Sequence, residues 1–282
     1  MANERRVENF DRATVAGFGD EWDAYDQTTL DPVEHQRVFD TYFSVFPFES
    51  LPADAEGFDL GCGSGRWAEP VARRVGILHC IDPAEKALAV ARRRLKDMPG
   101  VRFHLASSDS IPLADGSQDF GYSLGVLHCL PDARRALSDC ARKLKPGAPF
   151  LAYIHYRFDN RPGWYRLLWR VSDVGRRVIS RLPFQPRKAV ASAIAACVYW
   201  PTARFAAFVE RRGGNVDAFP LAAYRDSGFY TMRTDALDRF GTRLERRYTR
   251  LEIIEMMQAA GLEDIRFRED VPYWTACGRK AA

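Results

Sequence analysis

The chain has 282 residues, 46% of them hydrophobic and 28% charged, with 41 Lys and Arg against 37 Asp and Glu. That length suits one large domain or one and a half smaller ones, and the composition excludes a collagen, a disordered tail and a disulfide-knit miniprotein. A formal charge of +4 is too small to mark a nucleic-acid binder by itself. The six cysteines, Cys62, Cys80, Cys129, Cys140, Cys197 and Cys277, form no C-x-x-C pair. No zinc or redox motif is therefore signalled, and reduced thiols of a cytosolic protein are expected. The opening residues lead into no apolar h-region, so no signal peptide is expected. The longest uncharged, mostly apolar run, 189–203, has 15 residues and contains Pro201. It falls short of the roughly 20 residues a spanning helix needs, which points to a soluble or peripheral protein.

In chain order, Val33, Val38, Phe39, Tyr42, Phe43 and Phe46 recur at helical spacing and predict a helix on the sheet domain or over its mouth. Short apolar runs at 58–60, 77–81, 101–105, 120–124 and 149–155 then read as strands. Between them, 66–75, 84–96 and 131–144 carry helical patterns, the last stopped by Lys145-Pro146-Gly147. Regular β-α alternation predicts an α/β doubly wound sheet, parallel strands joined by right-handed crossovers. The pattern breaks after Tyr156 and resumes with Thr249 as N-cap, a helix through Ala260, Gly261 as its stop, and strands at 264–268 and 273–278. Residues 1–50 therefore read as an N-terminal helical lid, 51–156 and 246–282 as the core, and 157–245 as a mostly helical insertion.

Asp59-Leu60-Gly61-Cys62-Gly63-Ser64-Gly65-Arg66 is a strand end, a glycine-rich turn and a helix start. Glycines at alternate positions let a ligand approach the backbone. A dinucleotide fingerprint wants a third glycine where Arg66 stands, so a nicotinamide-dependent oxidoreductase is the disfavoured rival. Asp82 closes the second predicted strand, where a carboxylate can accept both ribose hydroxyls; a plain helix N-cap before Pro83 is its alternative role.

These residues resemble the first motif and ribose-binding acid of the class I S-adenosylmethionine-dependent methyltransferases. Three further stretches keep the resemblance in register: 107–112 with its Ile-Pro, 115–120, and 123–128. Together they cover 56–156 and return at 249–280. The resemblance implies a Rossmann-like seven-stranded sheet with the last strand antiparallel, and S-adenosyl-L-methionine as cofactor with S-adenosyl-L-homocysteine as product. It further implies cofactor contacts at Asp59, Gly61, Gly63, Gly65, Asp82, Pro83, Ser108, Asp109, Ser110, Leu124 and Gly125. Here the carboxylate expected near adenine is displaced to Asp109, with Ser107 at the usual place. The motifs of amino-methylating and C5-methylating DNA enzymes are absent. In the lid, Phe18, Trp22 and Tyr25 either cover the cofactor, aromatic faces suiting a sulfonium, or serve as buried staples.

Residues 156–214 carry eleven Arg and Lys188 against Asp159, Asp173 and Glu210, a net +9 that leaves the remainder at −5. Trp164, Leu167, Leu168, Val171, Val174, Val178, Ile179 and Leu182 form one helical stripe, and Arg166, Arg170, Arg177 and Arg181 another. One reading packs the apolar stripe on the core under a solvated arginine face. Another makes a cap for an anionic, partly apolar acceptor, or a helix resting on an anionic membrane surface. Nucleic acid is the remainder. The segment 223–235 lacks clean helical periodicity and reads as an irregular substrate loop. A hydroxyl or acidic-carbon acceptor needs a base, for which His155 with Tyr156, then His128, are the candidates at strand ends. A carboxylate or thiolate acceptor needs none. The expected activity is methyl transfer to a small-molecule or lipid-like acceptor by a cytosolic or membrane-peripheral enzyme. A cofactor-binding protein without turnover and an RNA methyltransferase are the alternatives.

Overall fold

The computed structural model describes residues 8–159, 161–216, 219–270 and 274–282. One sheet is built from β1 (Glu56–Leu60), β2 (Ile77–Asp82), β3 (Val101–Leu105), β4 (Phe120–Leu124), β5 (Pro149–Ile154), β6 (Leu262–Phe267) and β7 (Trp274–Lys280). Their spatial order is β3-β2-β1-β4-β5-β7-β6. The first five pair in parallel, and β7 is antiparallel to both neighbours. All six residues of β5 are buried, as a strand covered on both faces requires, whereas β3 at the edge alternates with polar positions. The chain order reverses between β1 and β4, and that switch point opens a crevice at the carboxyl ends of both strands. Tyr273, the start of the last predicted strand, lies outside the described residues.

The crossovers are α3 (Ala68–Ala72), α4 (Glu85–Arg94) and α5 (Ala133–Lys143). One face of the sheet packs Phe58, Phe150 and Leu137 with Met256 and Met257 of α10 (Arg250–Ala259). Thr249 caps α10 in a reciprocal pair with Glu252. The other face takes α2 (Pro32–Phe43), whose Phe39 and Phe43 meet Tyr122 and Leu78. Val33 does not share that stripe and is 77% exposed at the helix start, where Asp31 accepts the Val33 and Glu34 N–H groups, while Glu34 beside it is buried. Ahead of α2, α1 (Arg12–Ala24) lies along α4, with Gly19 against Ala84 and Lys86 and with Lys86 bound to Asp20 at 2.6 Å.

Between β5 and α10 stand α6 (Gly163–Ile179), α7 (Phe184–Ile194), α8 (Trp200–Arg211) and α9 (Phe229–Gly241). Three expectations change here. The segment at 223–235, predicted irregular, enters α9 at Phe229; the helix begins halfway through it and buries only Met232, Thr234, Ala236 and Leu237, which blurs the period. A π-helical turn at Ala195–Tyr199 joins α7 to α8 and absorbs the donor that Pro201 lacks. The result is one helix of 28 residues, Phe184–Arg211, long and apolar enough by length and composition to cross a membrane. Finally, the apolar stripe of α6 does not pack on the core: it faces outward, while Asp173 and Arg176 face inward.

Candidate active site

The glycine-rich turn lies at the switch point. Gly61, Gly63 and Gly65 all have positive φ, near +79°, +54° and +75°. A Cβ on Gly61 would stand 2.2 Å from Val126 Cγ2, so neither the backbone nor the space admits a side chain. We expect Gly61→Ala to cost about 1–3 kcal/mol, read from urea unfolding; an unchanged midpoint would refute the crowding. Asp82 ties this turn to the next helix, its Oδ2 accepting Gly63 N–H at 2.9 Å and its Oδ1 accepting Ala84 N–H at 2.8 Å. Burial pushes its carboxyl up to about 6, against those two hydrogen bonds. Asp59 is pushed to about 8 by burial and, in smaller part, by the charge of Asp82, with the Tyr122 hydroxyl countering. Pro83, half-buried, turns the chain from Asp82 into α4.

Trp22 of α1 lies directly on the turn: a Cβ at Gly63 would meet its Nε1 at 2.9 Å. Arg66 stacks between Trp22 and Trp67, 5.4 and 4.5 Å from the ring centres. Tyr25, by contrast, is a buried staple edge-on to Tyr230 at 6.0 Å. The loop after β3 forms a 3-10 turn at Ser108–Ser110 capped by Ser107. Ser110 is exposed and caps back onto Ser107 N–H. Asp109 is half-buried; burial raises its carboxyl, but the Ser107 hydroxyl and Asn9 N–H outweigh this and hold it low. Asn9 also binds Ser108 and both backbone groups around Asp132. Sequence reasoning missed this clasp, since one Asn near a terminus carries no pattern.

A cavity of about 940 Å³ runs from Trp22, Leu124 and Gly125 to Tyr156 and Trp169. Gly125, φ +79°, leaves room toward Tyr153, which packs on Tyr42 with ring centres 5.0 Å apart. The lining is chiefly aromatic and aliphatic, with Glu21, Asp235, Asp238 and Asp270 as its acids and Arg66, Arg161, Arg225, Arg239 and Arg247 as its arginines. Burial raises Glu21 well above the usual range, and lifts Asp238 to about 7 with help from Asp235 and Glu245. Three buried polar atoms on the lining have no partner among the described residues: Glu21 Oε1, Trp169 Nε1 and Arg247 Nε.

His155 lines this cavity. Its Nδ1 is 3.0 Å from Glu245 Oε1, and Glu245, 3% exposed at the side chain, also binds Arg239 at 2.7 Å and Arg247 at 2.6 Å. Arg176 joins the group at 3.5 Å from Glu245 and 2.7 Å from Asp173. Burial lowers the His155 imidazole, only partly opposed by Glu245. Tyr156, past the end of β5 and bridged to Tyr248, lies elsewhere on the wall. Its ring packs on Trp274 and Phe158, and its hydroxyl accepts from Arg161 at 3.5 Å. His128 is not at the cavity. The 3-10 turn Leu127–Cys129 tucks it inward, 2% exposed, stacked 3.7 Å behind His155, and burial drives its imidazole well down. Glu245 and its arginines were not among the predicted site residues; they come from α6, α9 and the loop before α10, and no sequence spacing links them.

A family model described as a methyltransferase domain matches residues 58–152, the stretch that holds the turn, Asp82, Asp109 and Gly125. No curated protein sequence matches the chain. Among solved structures, the magnesium protoporphyrin IX methyltransferase of Synechocystis, with S-adenosylhomocysteine bound, is 15% identical, with TM-score 0.56 over 94% of this chain and 95% of that one. A putative methyltransferase from Bacillus halodurans is 12% identical, with TM-score 0.53 over 86% and 99%. A SAM-dependent methyltransferase from Aquifex aeolicus is 15% identical, with TM-score 0.52 over 91% and 97%. At such identities these likenesses concern the fold.

Proposed function

We propose that the chain, whose residues 58–152 match a methyltransferase-domain model, is a class I S-adenosylmethionine-dependent methyltransferase that methylates a small, lipid-like acceptor bearing an ionisable proton, with His155 as the base. The observation that carries this is the aromatic cavity joining Gly125 and Trp22 at one end to the His155–Glu245 pair. The cofactor, when bound, supplies an electrophilic methyl carbon on a sulfonium. The residues fit it: Gly125 opens onto the cavity, where a Cβ would meet only Tyr153 Cδ1 at 4.0 Å, and Ser64 Oγ is buried without a partner among the described residues. Asp82 ends β2 with lone pairs to spare for hydroxyls. Asp59, Gly61, Gly63 and Gly65 would hold the methionine part, Asp82 and Pro83 the ribose, Ser108 and Asp109 the adenine, and Trp22, Leu124 and Gly125 the methyl end.

The chain's own part is to bind, orient and keep dry. Aromatic walls exclude water, so an acceptor held against Tyr42 and Tyr153 meets the donor without a competing solvent nucleophile. His155 presents Nε2, which has no partner among the described residues, while Glu245 holds Nδ1. Arg161, which donates to the Tyr156 hydroxyl, puts a positive charge on the lining that suits an acidic group on the acceptor, whereas Arg225 is held by Glu210 at 2.7 Å. The arginines Arg176, Arg187, Arg239 and Arg247 are committed to internal carboxylates and carbonyls, which speaks against a nucleic-acid role for them.

Two measurements test this. Calorimetric titration with S-adenosylmethionine and its demethylated product should show binding, and mass spectrometry should find a one-methyl gain on hydroxylated apolar acceptors from a panel; binding without any turnover would favour the turnover-free reading. Asp82→Ala should weaken cofactor binding at least about tenfold, since a charge-assisted hydrogen bond contributes about 1.5–3 kcal/mol. Unchanged affinity would sink the ribose assignment.

A further inference from the structure

We propose that α6 and α8 form a membrane-docking face that seats the protein on an anionic lipid bilayer, with the mouth of the acceptor cavity opening onto it. α6 is inside out. Its buried positions are Asp173 and Arg176, locked into the Glu245 cluster, while Leu167, Val171, Val174 and Val178 are 62–64% exposed and Trp164 is 52% exposed. At 100° per residue these five fall within one third of the helix circumference. Arg166, Arg170, Arg177 and Arg181, all exposed, line one flank of that stripe. Leu168, Ser172, Gly175 and Ile179, which line the cavity, hold the other flank.

The face continues on the 28-residue helix, whose most apolar window is only 28% buried. Val198, Phe205 and Phe208 are 48%, 54% and 52% exposed, and Phe205 packs on Phe219 of the cavity wall at 5.7 Å. Leu168 and Val198, about half exposed, belong to both the outer face and the cavity lining, so the mouth lies between the two helices. That helix does not span the bilayer: Ala191, Ala195, Ala203 and Ala206 are fully buried on one side, and Arg187 and Arg204 are bound to carbonyls inside the fold. It lies along the surface instead.

Charge decides the occupant. The only acidic residue of α6 is Asp173, and it is buried and paired, so every charge on the outer face of α6 is positive. A second copy docked face to face would bring arginine rows together with no carboxylate between them. Anionic headgroups satisfy the arginines while the stripe enters the acyl boundary, the arrangement expected of an interfacial helix. The inference deepens the reading of the cavity as a lipid-like acceptor site: a bilayer-soluble acceptor would enter at Leu168 and Val198 without crossing water.

The test is co-sedimentation of the full chain with vesicles of phosphatidylglycerol and phosphatidylcholine, against phosphatidylcholine alone, without cofactor. The expected result is at least about tenfold tighter binding to the anionic vesicles, weakened by salt. A Leu167→Ser, Val171→Ser, Val174→Ser triple variant should lose that binding at least about tenfold. Its cofactor affinity and melting temperature should be unchanged, because these side chains touch neither site nor core. Replacing Arg166, Arg170 and Arg181 by Gln should remove the preference for anionic vesicles. Equal binding by the triple variant, no binding of the natural chain to anionic vesicles, or a dimer in light scattering that the triple variant abolishes would each overturn the proposal. Cofactor titration reads the methyltransferase assignment separately, so either can fail alone.

Discussion

Replacing Glu245 by alanine is expected to cost the fold about 3–5 kcal/mol, the range for removing one partner of a buried ion pair and stranding the other. Glu245 neutralises more than one partner: Arg239 at 2.7 Å, Arg247 at 2.6 Å, Arg176 at 3.5 Å and the His155 ring at 3.0 Å all converge on its carboxylate. Asp173 is the other anion in the group, and it is already bound to Arg176 and Arg177. The sign of the pH dependence follows from the direction of the shift. Burial raises the Glu245 carboxyl, but Arg247, His155 and Arg239 outweigh it and hold it well below the ordinary value. Its stabilising contribution is therefore present above the unfolded pKa of about 4.3 and is lost as pH falls through the folded one. Urea unfolding at neutral pH should show the deficit, and the gap between variant and natural chain should narrow in acid. A variant within about 1 kcal/mol of the natural chain would mean the arginines find solvent when their anion is gone.

Asp59, Asp82 and Asp238 act in the opposite sense, lifted mainly by burial to about 8, 6 and 7. A raised carboxyl contributes stability that is full below its unfolded pKa, near 3.9, and lost as pH rises through the folded one. The natural chain should thus be more stable slightly below neutrality than above pH 8. Two of these groups, Asp59 and Asp82, sit at the glycine-rich turn, where a cationic cofactor favours the ionised form.

The sheet was legible because local signals and the global fold agreed. The five parallel strands and their crossovers follow from apolar runs, the Pro-Gly stop and the turn at Gly61, and each is held within a few residues of its expected place. The sequence could bring Asp82 and Gly63 to one place for the same reason: their spacing is fixed by one strand and one turn. The wall opposite them was not. Glu245, Arg239 and Arg176 lie far apart in sequence, and what makes them a site is mutual burial, which no periodicity encodes. For α6 the sequence left two readings open. Its period of 3.6 residues was correct, but periodicity states that two faces differ and not which of them turns inward. Asp173 was the available clue: a lone acid at the helix's polar side, opposite the stripe, is best placed where arginines from other elements can reach it.

Replacing His155 by alanine is expected to reduce methyl transfer by about a hundred- to ten-thousandfold, the usual span for a positioned base, while leaving cofactor affinity within about twofold. Three features support the base role proposed for His155. Glu245 engages Nδ1, which fixes the tautomer and leaves Nε2 toward the cavity. His128 stacks behind it at 3.7 Å and accepts its backbone N–H at 3.4 Å, so the ring cannot swing away. Burial keeps the imidazole neutral at pH 7, below its ordinary titration, so it is ready to take a proton. The rate should accordingly rise with pH below about 6.5 and level off above it, and the His155→Ala variant should lose that limb. The effect should appear in kcat rather than in KM, because the ring takes up a proton while the aromatic wall does the binding. If kcat falls less than about tenfold on an acceptor that the natural chain turns over, the acceptor reacts as an anion already formed, and His155 only positions it.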